Sequence, residues 1–161
     1  MRKGLSFYTF ILPALISSFL LFILVGVFSY PSTFADEIPD YKTAVVEING
    51  QQFYVDIART LEEQFLGLSG RVSLPYRSGM LFVYEQPGIY GFWMKDMNFD
   101  LDFIWIDENN KIIDISHSVL PESYPQSYVP PSDVLYVLEV SAGTANRLDL
   151  SVGDYVHIIY N

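Results

Sequence analysis

A chain of 161 residues with 19 acidic and 9 basic side chains, a net charge of −10 and no cysteine has room for one compact domain. The charge argues against nucleic-acid binding, which needs clustered Lys and Arg to neutralise phosphates. The missing cysteine excludes disulfides, zinc–thiolate and iron–sulfur sites, thiol nucleophiles and a lipidated amino-terminal cysteine.

The amino end reads Met1-Arg2-Lys3, followed by a stretch from Gly4 to Tyr30 with no charged residue. A basic end before an apolar run is common to signal peptides and signal anchors. Length separates them, because a signal-peptide core has about 7–15 apolar residues and a spanning helix about 20. Leu5 to Phe28 is 24 residues, so one N-terminal transmembrane helix is expected, kinked near Pro13. Cleavage at Thr33-Phe34-Ala35 would instead release a secreted or periplasmic protein. A buried helix of a soluble protein would need a polar stripe that residues 5–28 lack. Residues 1–35 are therefore read as a signal anchor or signal peptide plus tether. Arg2 and Lys3 are cytoplasmic on this reading and residues 36–161 extracytoplasmic, with the membrane as partner through residues 5–28. The exported part holds seven bases against all 19 acids, a net −12, and is repelled by anionic lipid headgroups. Residues 31–42, with two prolines and three acids, continue as a tether.

Residues 43–49 and 51–57 alternate in hydrophobicity around Asn49-Gly50, a pair that accepts positive φ and so predicts a hairpin. Thr60-Leu61-Glu62-Glu63 is a capping box. A short helix should follow and stop at Gly67 or Gly70. Residues 80–84, 90–95, 101–107, 111–117, 134–140 and 155–160 have strand length, and Ser141 is placed to cap a second short helix over 142–148. The pattern predicts a mostly β (α+β) domain over 43–160, a compact antiparallel barrel or sandwich with two short helices. Residues 120–133, with four prolines and two tyrosines, fit no element. They read either as a contact surface for a ligand or partner, or as a crossover covering the barrel end.

Five runs come in a recognisable order: Gly67-Leu68-Ser69-Gly70-Arg71, Gly79-Met80-Leu81-Phe82, Phe92-Trp93-Met94-Lys95, Leu101-Asp102, and Val137-Leu138-Glu139-Val140-Ser141-Ala142-Gly143. Over residues 43–160 the chain resembles the family known as domain of unknown function 192, an uncharacterised bacterial and archaeal family. Asp96 stands where the family usually has Asn, and Phe99 or a neighbour where many relatives have Pro. The resemblance implies a small β-rich domain, often placed after an export signal or anchor. It implies no activity.

Two acids lie on apolar strand faces. Asp102 alternates in step with Ile104 and Ile106, and Glu139 in step with Leu135 and Val137. A buried carboxylate must find a cation or take up a proton, and Arg71 and Lys95 are the nearest basic candidates. A polar cluster of Arg71, Lys95, Asp102 and Glu139 beside Trp93 is therefore expected. It could bind a small polar ligand, with Trp93 as stacking surface and Arg71 and Lys95 as anion anchors. It could also supply an acid or base for hydrolysis, or be an ion-pair network that fixes strand register. No metal site is expected. His117 and His157 are too far apart in sequence, and Asp96, Asp100 and Asp102 do not follow a calcium loop. No phosphate loop, serine-triad motif or cofactor signature occurs. The leading expectation is a non-catalytic, membrane-anchored module that binds a small ligand or envelope component. An envelope hydrolase using a buried carboxylate and a protein-interaction or assembly module are the alternatives.

Overall fold

The computed structural model describes residues 42–161. The anchor read over residues 5–28 lies outside them. Among the described residues no helix is long and apolar enough to cross a membrane.

Strands β1 (Thr43–Ile48) and β2 (Gln51–Ala58) form the expected hairpin. Its turn residues Asn49 and Gly50 have φ of +50° and +72°, the left-handed conformation that Asn and Gly tolerate best. Helix α1 (Leu61–Leu66) follows, with β3 (Ser78–Gly88), β4 (Leu101–Ile106), β5 (Ile112–Val119), β6 (Val134–Ser141), helix α2 (Thr144–Arg147) and β7 (Val156–Tyr160). The result is mostly β, one seven-stranded sheet with two short helices, in the order β5-β4-β6-β3-β2-β1-β7.

Three expectations need correction. The sheet is open, neither a closed barrel nor a sandwich of two sheets. Its edge strands β5 and β7 form no ladder; the residues just before them join at a bridge between Lys111 and Tyr155, where Ile112 N donates to Asp154 O and Val156 N to Asn110 O. Register shifts also interrupt the β4–β5 ladder, the irregularity that bulges introduce. Second, the sheet is mixed. The connection through α1 returns the chain parallel to β2, pairing β2 with β3, while the other ladders are antiparallel. Third, residues 90–95 are not a strand. They keep a single bridge, Phe92 to Tyr128, and so pin the proline-rich segment 120–133 across one face.

Strand β4 is buried along its whole length, as expected for a central strand with apolar residues on both faces. One face of the sheet carries Val46, Phe53, Leu81, Ile104 and Leu138 in a core that also takes Ala145 and Leu150. The other carries Phe82, Phe92, Phe103, Trp105 and Val137. Here Phe92 sits edge-on to Phe82 at 4.7 Å and to Trp105 at 5.4 Å, geometries that add to simple burial. The Trp105 indole N–H donates to Ser116 Oγ at 3.0 Å, which satisfies its only polar atom.

Candidate functional site

Strand register separates the two acids. Ile104 pairs with Leu138 on the first face, and Phe103 with Glu139 on the second. Asp102, two residues before Ile104, thus points to the first face and Glu139 to the opposite one. The expected four-residue cluster does not assemble. Arg71 pairs with Asp56 at 2.8 Å, and Lys95 lies 4.0 Å from Asp96 with its ammonium 5.2 Å from the Phe65 ring centre.

Asp102 has a structural task. It is 0% exposed, and its carboxylate accepts from Ser118 N (2.8 Å), Gly143 N (3.2 Å) and Ala145 N (2.9 Å). It thereby binds β4 to β5 and takes up free N–H groups at the start of α2, which no side chain at Gly143 or Ser141 caps. Backbone donors rather than a cation compensate its burial.

Glu139 has no such partner. It is 5% exposed, lying between Met80 on β3 and Phe103 on β4 across the ladders. Among the described residues no ion pair reaches it, and burial pushes its carboxyl up to about 8. Its side chain contributes to a cleft of about 220 Å³, together with Phe65, Phe82, Tyr84, Phe92 and Trp93. Burial, aided by Tyr90 and Glu139, raises the Tyr84 phenol, and its ring stacks on Tyr90 at 3.4 Å. Trp93, 41% exposed, meets Phe65 edge-on at 6.0 Å. Of the predicted site residues, Trp93 and Glu139 border this cleft, with Lys95 at its rim over Phe65.

The walls of the cleft follow from local sequence. Helix α1 has no buried residue, so Leu61, Phe65 and Leu66 turn their apolar surface to the cleft and to solvent. The helix is held by its ends and one strut. Thr60 Oγ1 accepts from Glu63 N, and Glu63 Oε2 accepts from the N–H groups of Thr60 and Arg59. These bonds pull the Glu63 carboxyl down to about 2. Gln64 donates to Val83 O at 3.0 Å. Removing the cap with Thr60→Ala is expected to cost about 1 kcal/mol, read by urea unfolding, and to loosen the Phe65 wall. Opposite α1, Ser69 Oγ donates to Lys95 O and Gly70 N to Asp96 O, tying the turn after the helix to the Phe92–Met97 segment. Asp96 has φ +54°, a conformation that suits Asp as well as the Asn of the resemblance.

Phe65 and Tyr84 were not singled out by sequence. An apolar pair in α1 reads as core until the strands beneath it are known, and Tyr84 reads as the end of a strand. Phe92 and Met94 are core, with Phe92 also bordering the cleft.

The family model described as Uncharacterized ACR, domain of unknown function 192, matches residues 44–158. No curated protein matches the chain. Among solved structures, a Sinorhizobium meliloti protein described provisionally as a transcription regulator is 28% identical, with a TM-score of 0.70, covering 73% of this chain and 95% of that one. A protein of unknown function from Novosphingobium aromaticivorans is also 28% identical, with a TM-score of 0.65, over 71% of this chain and 83% of that one.

Proposed function

We propose, for a chain that belongs to the domain of unknown function 192 family, a non-catalytic binding module in which the Glu139 cleft receives a small ligand. Residues 5–28 would tether it to the membrane, with residues 36–161 on the extracytoplasmic side. The observation that carries the reading is the contrast between the two buried acids. Asp102 repays its burial through three backbone hydrogen bonds. Glu139, unpaired at an aromatic cleft, lowers stability relative to a neutral residue of its size. A group that weakens the fold and faces a cleft points to a ligand.

Hydrolysis is less well supported. Both oxygens of Asp102 are engaged, which removes one of the two expected acids. Among the residues bordering the cleft, Glu139 is the single carboxyl group, whereas paired acid–base chemistry needs a second group within reach. The regulator description of the Sinorhizobium relative is not carried over, because residues 42–161 hold sixteen acids against seven bases.

The test is a thermal-shift screen of small metabolites on the full chain and on Trp93→Ala. A ligand at a hundred times its Kd raises stability by about 2.7 kcal/mol. At least one compound should raise the melting temperature of the native chain and do so less for Trp93→Ala. If no compound distinguishes the two proteins, the cleft is not the binding site.

A further inference from the structure

We propose that the ligand of this cleft is a small organic cation, an ammonium group on an apolar or aromatic body, with its charge on the Glu139 carboxylate and its body against Phe65 and Trp93. This rests on the reading of the cleft as a binding site and adds the chemical class of its occupant.

Few polar side chains border the cleft. One of the two amide N–H groups of Gln64 is committed to Val83 O, and the hydroxyl proton of Ser69 to Lys95 O. A sugar or other polyhydroxylated ligand needs several donors and acceptors, more than these side chains leave uncommitted. An anion would find the Lys95 ammonium at the rim, but it would keep the Glu139 carboxyl from ionising and lie on a domain surface with an excess of acids. A cation needs one carboxylate and aromatic faces, and those are what the cleft offers. The Lys95 ammonium at 5.2 Å from the Phe65 ring centre already uses this attraction at the rim. Among the described residues bordering the cleft, the titratable group besides Glu139 is Tyr84 of β3, which stays neutral at physiological pH because burial raises it further. The ladder neighbours Met80 and Phe103 carry no charge.

Binding then has a proton balance. In the empty cleft below about pH 8 the carboxyl holds its proton. The ammonium displaces it, so that a neutral acid and a cation become an ion pair plus one proton released to buffer. No bond of the ligand breaks.

Titration calorimetry of the full chain in lipid nanodiscs tests this with benzylamine and its uncharged counterpart benzyl alcohol, near pH 7, in phosphate and in Tris. Benzylamine should bind at least about tenfold tighter than benzyl alcohol. The difference in heat between buffers should correspond to nearly one proton released. Benzylamine affinity should weaken by up to about tenfold per pH unit from pH 8 down to 6. Glu139→Gln should bind both probes alike and release no proton, and Trp93→Ala should weaken both. Benzyl alcohol binding as tightly as benzylamine, or benzylamine binding without proton release, overturns the cation inference while the cleft stands as a binding site. Failure of both probes to bind also overturns the inference, and the thermal screen then decides separately on the cleft.

Discussion

Replacing Asp102 with alanine is expected to lower the stability of the domain by about 3–5 kcal/mol, much of what holds a domain of this size together. The side chain is fully buried on the central strand and satisfies three backbone N–H groups from two other segments. A hydrogen bond to a charged acceptor contributes about 1.5–3 kcal/mol, and a buried donor left unpaired costs about 1–3 kcal/mol. Ser118, at φ +49°, and Gly143, at φ +73° and preceding α2, hold strained or flexible backbone that the carboxylate fixes. Asp102→Asn preserves the shape and one accepting oxygen, and should fall between the alanine variant and the native chain. Urea unfolding followed through buried Trp105 measures both. An alanine variant within 1 kcal/mol of the native chain, to the order of magnitude these bonds allow, would show that the N–H groups find other partners and that Asp102 is not the clamp described.

That Asp102 and Glu139 are anomalous was legible in the alternation of their strands. What they do was not. Alternation assigns each side chain to one of two faces of its own strand. Only the register of β4 against β6 says that the face of Ile104 is the face of Leu138 and therefore not that of Glu139. A shift of one residue would have put the two acids together, and no local feature of either strand encodes that choice. Local chemistry fared better where it was self-contained. The Asn49-Gly50 turn, the Thr60–Glu63 capping box and the Gly67 stop are each decided within a few residues. The parallel pairing of β2 with β3, the lost strand at 90–95 and the open edge between β5 and β7 all depend on partners distant in sequence. The cleft is a product of those same long-range choices, so its Phe65 and Tyr84 walls could not be told from core.

Glu139 should make the domain less stable as pH rises, against the usual behaviour of native carboxylates. An unfolded glutamate loses its proton near 4.5, whereas the folded chain keeps this one until about 8. Between those values the native state binds more protons than the unfolded chain. Stability therefore falls with rising pH, by up to about 1.4 kcal/mol per unit. The contribution is full below pH 4.5, where both states are protonated, and the loss is complete above 8, on the order of 3–5 kcal/mol. Glu63 acts in the opposite sense. Its carboxyl is held near 2, so the capping box loses strength only as pH falls below 4.5, and by little because the group is largely solvated. Glu139→Gln, neutral and of similar shape, isolates the effect. The variant and the native chain should have similar stability near pH 5, and the variant should be more stable by several kcal/mol near pH 9. Urea unfolding at pH 5, 7 and 9 gives the comparison. Parallel pH profiles would mean that water or a cation compensates the carboxylate in the empty cleft, leaving neither a stability cost at Glu139 nor a bound proton for a ligand to displace.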